Sequence, residues 1–512
     1  VKQMNRKIIG SILIAVLLGF GVWMFFQSPF SGSTQQSLPA GVQQDGVSIM
    51  DLETQKAGNR PVKTFELKAK ETIWKINESK EVEAWTYNGK VPGEPIHVTE
   101  GDYVKVRLKN QLDVPVTIHW HGMILPNQMD GVPGLTQDAV QPGDTFTYEF
   151  IANDAGTYWY HSHQHSSKQV DKGLYGPLVI EEKSKKFEKD KTFILDEWAV
   201  NQEKQSLSNM GGMMMGSMSG DGEADTKQMY DTLTVNGKSG SAIQPLELEA
   251  GETARLRFVN AGYQRHRLVF PKGSMKVLAT DAEDVKQVGE SINTLEIAPG
   301  ERIDVAYTKE KKGLEVIGED PQLQNADQMK IPVVSNGKEN MSDGNDLNVE
   351  TASSIGSGTS KGSEQLLFDK VPETDVSYQM DLSMGMNMGE GMAFQINDKV
   401  FPDTPMISVE EGDIVKVKIK NTGMLNHPMH LHGHRFQVQS RNGKPYDAPI
   451  VKDLIHVKPG ETYTVYFKAD NKGEWLFHCH DNNHADRGMV TIVDYEGVYS
   501  PFGLGGENSN QP

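Results

Sequence analysis

The only cysteine of the chain, Cys479, stands between two histidines in His478-Cys479-His480, with His484 and Met489 close behind. A thiolate, imidazoles and a thioether gathered in so short a stretch make up the donor set of a blue-copper electron-transfer centre. On a β-strand the Cys479 side chain points to one face while His478 and His480 point to the other. One strand would then hold a copper in front and grip a second centre behind. Zinc is the rival for mixed Cys and His ligands, but structural zinc sites use two or more cysteines at CxxC spacing, which this chain lacks.

Three more histidine clusters say what that second centre is. They are His119-Trp120-His121, His161-Ser162-His163 and His427-Pro428-Met429-His430-Leu431-His432-Gly433-His434. Each His-X-His pair puts two imidazoles on one face of an extended segment, which suits two neighbouring metal ions. A single pair is a common surface accident. Four pairs, one of them built around the sole cysteine, supply eight imidazoles, enough for a three-copper cluster.

In these motifs, HWHG, HSH, HPxHLHGH and HCHxxxHxxxxM, the chain resembles the multicopper oxidases, specifically bacterial laccases and copper-resistance oxidases, over roughly residues 60–495. The resemblance implies four copper ions. The type 1 ion would be held by His427, Cys479, His484 and, weakly, Met489. His119 and His430 would hold the type 2 ion, and His121, His161, His163, His432, His478 and His480 the type 3 pair. It also implies a reaction: four one-electron oxidations of a donor coupled to reduction of O2 to water. Asp130 resembles the family's proton-donating acid, although Asp130-Gly131 also reads as a β-turn. Many bacterial members have an acid directly after the second type 1 histidine; here Ala485 stands there and Asp486 follows, which puts Asp486 in second place for proton transfer. His97, His165, His266, His434 and His456 match no ligand position and read as surface or supporting residues.

A thioether axial ligand stabilises oxidised copper and lowers the potential, which favours easily oxidised donors such as electron-rich phenols, aromatic amines, Cu(I) and Fe(II). Two methionine clusters bear on the choice: Met210, Met213, Met214, Met215 and Met218, then Met380, Met384, Met386, Met388 and Met392. They hold ten of the 23 methionines and are interleaved with Gly, Ser and Asn. Soft thioethers select Cu(I), so the expectation is a Cu(I) capture surface; the bland alternative is low-complexity loops with incidental Met. Two further functions compete. One is a non-catalytic copper-binding protein that sequesters the metal through these methionines. The other is a copper nitrite reductase, which resembles this fold but uses two domains and lacks the full set of paired histidines.

A repeated unit must position all of this. Glu100-Gly101-Asp102, Ala250-Gly251-Glu252 and Glu411-Gly412-Asp413 each open an alternating strand that ends at Asn110, Asn260 or Asn421. Pro142-Gly143-Asp144, Pro299-Gly300-Glu301 and Pro459-Gly460-Glu461 open a second strand. A short strand ending at Asn88, Asn236 or Asn397 precedes each unit. Three long copies rich in short strands and Gly/Pro turns predict an all-β protein of three cupredoxin-like Greek-key β-sandwich domains, preceded by one hydrophobic N-terminal helix. The expected order is a signal or anchor segment at 1–27, a linker at 28–60, a first domain with type 2/3 ligands at 61–183 and a copper-free second domain at 184–334. A flexible linker at 335–375, a third domain with type 1 and type 2/3 ligands at 376–500 and a tail at 501–512 follow. Ligand pairs from the first and third copies must therefore meet at a shared interface, with the middle copy as spacer or wedge.

A formal charge of −18 over 512 residues, with no visible basic patch, excludes nucleic acid as a partner. Lys2, Arg6 and Lys7 precede an uncharged apolar run, Ile8 to Phe26, nearly long enough to span a bilayer. Such a run exceeds the apolar core of a cleaved signal peptide, so the expectation is an anchor on the outer face of the cytoplasmic membrane, with secretion as the alternative. Partners would be O2 and a small-molecule or metal-ion donor, served by a monomer.

Overall fold

The computed structural model describes residues 46–184, 187–201, 230–271, 275–286, 293–310, 313–321, 325–335, 362–387 and 391–512. The apolar segment Ile8 to Phe26 and the methionines Met210, Met213, Met214, Met215, Met218 and Met388 lie outside them. Among the described residues no helix is long and apolar enough to cross a membrane.

The architecture is almost entirely β, in three successive pairs of sheets. Residues 62–181 form two four-stranded sheets; residues 189–334 and residues 376–495 each form a six-stranded and a five-stranded sheet. Each pair encloses its own apolar core, around Val104 and Phe150, Phe258 and Val305, or Val417 and Phe467.

The sequence repeat is a structural repeat. Tyr103–Asn110, Thr253–Asn260 and Ile414–Asn421 each run parallel to the sandwich's first long strand and antiparallel to the strand opened by the Pro-Gly turn. The terminal asparagine explains why the motif recurs. Asn110, Asn260 and Asn421 are fully buried, and each Nδ2 donates to two backbone carbonyls while each Oδ1 accepts a backbone N–H two residues on. Its own carbonyl accepts the N–H of the turn glycine, Gly143, Gly300 or Gly460. One side chain thus satisfies the polar backbone where the chain crosses between sheets, where each orphaned group would cost about 1–3 kcal/mol.

Two segments depart from the sequence expectation. Residues 46–60 fall in the expected linker, yet Val47–Ser48 pairs in parallel with Val498–Tyr499 and Ile49 is fully buried in the third core. A run of three residues is too short to show strand alternation. Residues 501–512, expected as a tail, are bound to the first sandwich: Asn510 Oδ1 accepts from Ala139 N at 2.8 Å, and Gln164 Nε2 donates to Ser509 O at 2.7 Å. Polar side-chain to backbone bonds of this kind leave no periodic signature in sequence.

Candidate metal centres

Strand pairing brings the histidines of the first and third sandwiches face to face. His119–His121 lies antiparallel to Gly156–His161, with His119 opposite His161. In the third sandwich His427–Leu431 lies antiparallel to Glu474–Cys479, with His430 opposite His478 and Met429 opposite Cys479. Alternation does the sorting: Trp120 enters the first core, Met429 and Cys479 enter the third, and the flanking histidines turn outward into the interface between sandwiches.

Among the described residues four groups made of histidine and cysteine donors alone result. His121, His161 and His480 form one, His163, His432 and His478 a second, and His119 and His430, with His121 nearby, a third. Facing the other way, His427, Cys479 and His484 form the fourth. There the Cys479 Sγ is 3.7 Å from His427 Nδ1 and 3.6 Å from His484 Nδ1, and the two nitrogens are 3.2 Å apart. Met489 is fully buried in the same core, and its carbonyl accepts the Cys479 N–H at 3.0 Å. The Phe394 ring packs on His484 at 3.9 Å between centroids.

The imidazoles are oriented from behind. His119, His161, His430 and His478 each donate Nδ1–H to a backbone carbonyl, at 2.9–3.0 Å. That fixes the tautomer and turns Nε2 toward the cluster. Asp130 contributes its carboxylate as well, 2.9 Å from His432 Nδ1 and 3.2 Å from His119 Nδ1. Burial, helped by neighbouring imidazoles, pushes His121, His161, His163, His432, His478 and His480 well below the usual histidine range. They are neutral, with lone pairs free to bind a cation. Burial also pushes the Cys479 thiol up, so a metal must draw the proton off.

Copper fits this donor set on two observations. Nine cluster imidazole nitrogens, including both of His121, His163 and His480, are buried without a hydrogen-bond partner, an expensive arrangement unless cations bind them. His432 Nε2 and His478 Nε2 also face one another at 2.9 Å; two neutral acceptors aimed at one point call for a cation between them. Soft sulfur with two imidazoles on one side and imidazole alone on the other matches copper's preferences.

Other expected residues fall elsewhere. Asp486 accepts from Ser166 and Ser167 on a short helix of the first sandwich and shows no contact with a cluster imidazole, so of the two expected acids only Asp130 touches the site. Met380 is fully buried in the third core and is unavailable as a surface ligand; its place in an alternating strand outweighs its Met-rich neighbourhood. Met384 and Met392 are partly buried against that core, and Met386 is 80% exposed. His434 is structural, donating Nδ1–H to His432 O and accepting from Tyr495 OH. His97 and His165 are exposed.

Asp453 escaped the sequence reading: it is buried with its carbonyl on His430 Nδ1. Burial alone would raise its carboxyl, but the Arg302 charge and hydrogen bonds hold it well below the carboxylate range. No spacing rule links it to the histidine motifs.

Comparison with known proteins agrees with this geometry. Three domain families, each described as multicopper oxidase, match residues 68–185, 189–314 and 372–496. The chain is 28% identical to the multicopper oxidase MmcO of Mycobacterium tuberculosis, over 81% of this chain and 83% of that protein. It is 27% identical to the copper resistance protein A homolog of Pseudomonas syringae pv. tomato, over 94% and 97%. A crystal structure of a multi-copper oxidase from Pseudomonas thermotolerans superposes with a TM-score of 0.65 at 28% identity, covering 85% of this chain and all of that one. Four coppers, one type 1, one type 2 and a type 3 pair, go with that family, and the histidine groups described above provide for them. With every sandwich matched and a complete set of donor groups in place, the chain belongs to the multicopper oxidases, enzymes that couple oxidation of a reducing substrate to reduction of O2.

Proposed function

We propose that this enzyme oxidises Cu(I) outside the cytoplasm and serves copper tolerance, with phenol-type donors as secondary substrates. In this reading His427, Cys479, His484 and Met489 hold the type 1 ion, His119 and His430 the type 2 ion, and the two remaining histidine triads the type 3 pair. The coppers held there would supply one-electron uptake from the donor and four-electron reduction of O2. The protein's part is to connect and to protonate. Cys479 is joined by one peptide bond each to His478 and His480, so a covalent path links the two centres. Asp130 Oδ2 orients His432 through Nδ1 and is placed to hold a proton beside the cluster.

The observation that carries the Cu(I) reading is that Met384 and the type 1 histidine His427 both border Gly423. Gly423 is flanked by Met384 Cγ and His427 Nε2, at 3.6 and 3.9 Å from where its Cβ would be. That nitrogen is buried and unpartnered. Met386 and Met424, 80% and 56% exposed, lie nearby in sequence on the same two segments. A copper resistance protein A among the relatives, from Escherichia coli at 26% identity, favours the same role. An anchored, exported location is supported by the basic residues ahead of the apolar run Ile8 to Phe26. A monomer is supported by the presence of every ligand on one chain. Oxygen uptake with Cu(I) and with a phenol, measured side by side, tests the reading: comparable efficiency on both would make it a general laccase, and no uptake with either would leave a copper-binding protein.

A further inference from the structure

The Pro-Gly turn that opens the second repeated strand occurs once in each sandwich, and its three copies face different surroundings. Gly143 and Gly460 have nothing within 4 Å of where a Cβ would stand. At Gly300, in the sandwich that carries no histidine pair, the same position is 2.8 Å from Cγ of His480. Two residues after each glycine the first and third copies have Thr145 and Thr462, whereas the middle copy has Arg302.

Arg302 is fully buried. Its Nη1 and Nη2 donate to the two carboxylate oxygens of Asp453 at 2.7 and 2.5 Å. Nη1 also reaches Asp281 at 3.3 Å, and Nε donates to the Thr157 carbonyl of the first sandwich at 3.3 Å. One guanidinium therefore touches all three sandwiches. Asp453 carries the contact onward: its carbonyl accepts His430 Nδ1–H at 2.9 Å, and its Oδ1 lies 3.5 Å from that nitrogen and 3.6 Å from His121 Nε2. The His430 and His121 rings stack at 3.8 Å. Gly122, next to His121, makes the approach possible. A Cβ there would come within 2.2 Å of Arg302 Nη2 and 2.8 Å of Asp453 Oδ2, and φ is +84°.

A two-pronged guanidinium–carboxylate pair fixes orientation as well as charge, and partners behind metal ligands are worth about 10–100-fold in metal affinity. We propose that Arg302 is a positioning residue for the type 2 copper, acting through Asp453, which it holds against the His430 and His121 rings. The middle sandwich, which gives the cluster no ligand, thereby sets the geometry of the centre. This inference rests on the assignment of His119 and His430 to one ion made above.

The test compares copper content, the type 2 EPR signal and the blue type 1 absorption in the copper-loaded full chain. Arg302→Gln and Asp453→Asn should each lose about one copper per chain under mild chelation, with the type 2 signal weakened or altered and the blue absorption kept. Arg302→Lys, which retains the charge without the fork, should fall between them and the parent. Lys452→Met breaks ion pairs to Asp281 and Glu301 at the same interface, 2.7 and 3.1 Å long, and should leave the type 2 signal alone. Parent-like signals in Arg302→Gln and Asp453→Asn overturn the proposal, and so does equal loss in Lys452→Met, which would mean general loosening of the interface. The retained blue absorption reports that the third sandwich is folded. His430→Ala separates the underlying assignment: an intact type 2 signal in that variant removes the ligand set itself.

Discussion

The middle and third sandwiches begin from the same plan and end in opposite chemistry. Asn260 and Asn421 make equivalent hydrogen bonds, and each is followed six residues later by a histidine, His266 or His427. The cross-strand neighbours also correspond: Leu268 pairs with Glu319 where Met429 pairs with Cys479. In the third sandwich the pocket gathers imidazole and sulfur around one point. In the middle one Glu319 Oε2 lies 2.8 Å from His266 Nδ1 and Glu197 Oε2 lies 3.5 Å from His266 Nε2. Carboxylates on both ring nitrogens leave no lone pair for a metal, and the imidazole itself is the cation. Burial works against its charge, but the hydrogen bonds and charges of Glu197 and Glu319 outweigh it and raise His266 to about 10. One fold position can thus hold a metal ligand or an internal ion pair, and the residue opposite decides which.

The largest way to break the comparison is Cys479→Ser. Partners of ligands are worth about 10–100-fold, so loss of the only thiolate should abolish both the blue absorption and donor oxidation. Its test is absorption and oxygen uptake on copper-loaded protein; turnover at even a hundredth of the parental rate would falsify the electron-entry role. Stability should change little, because the serine hydroxyl is close to the thiol in size and has the His427 and His484 imidazoles within reach as hydrogen-bond partners.

The matching change in the middle sandwich, Glu319→Ala, should do the reverse. It strands His266 beside Glu197 alone, and breaking a buried pair costs about 3–5 kcal/mol. The melting temperature should fall while the blue absorption survives. Loss of colour along with stability would show that the two pockets are not independent. The pH dependence sharpens the same point. A group raised from 6.5 to about 10 on folding stabilises fully below about pH 6.5 and loses that contribution as pH climbs through 10. Melting temperature should therefore drop more steeply between pH 7 and 10 in the parent than in Glu319→Gln.

Much of this was legible in the sequence, and the reason lies in what kind of information each feature is. The three strand repeats and the His-X-His pairs are local patterns with period two, so alternation alone reads them. Asp130 is singled out by the family resemblance, which has a proton-donating acid just after the first pair. Arg302 and Asp453 were missed because their roles come from pairing across sandwiches, although Arg302 standing where Thr145 and Thr462 stand in the other copies was a visible departure. His266 matches no ligand motif, although its distance from Asn260 equals that of His427 from Asn421. Met380 was misplaced for the opposite reason: a Met-rich context hid an ordinary buried strand position.

The asparagine clamps give a smaller, symmetric effect. Asn260→Ala and Asn421→Ala each leave two carbonyls without donors, Gln264 being only partly buried, at about 1–2 kcal/mol apiece, toward the low end of the range for an orphaned group. Equal losses of about 2–4 kcal/mol in denaturant unfolding are expected, with a shift of the blue absorption only in Asn421→Ala, because only there does the crossing lead to a copper ligand. Unequal losses would mean that the clamps are equivalent in form and different in load.

The smallest effect tests where the two sandwiches differ at the rim. Register places Met384 where the middle sandwich has Glu197, each two residues past the leucine that pairs with the clamp asparagine. Glu197 anchors a buried charge; Met384 is partly buried and flanks His427 Nε2 through Gly423. Met384→Ser removes a thioether and little core area, so stability should move by about 1 kcal/mol or less. If the thioether guides the soft ion toward His427, KM for Cu(I) should rise a few-fold while kcat and phenol oxidation stay unchanged. A parallel change in both donors would place Met384 in the packing around His427 and leave the incoming ion without a methionine at its point of entry.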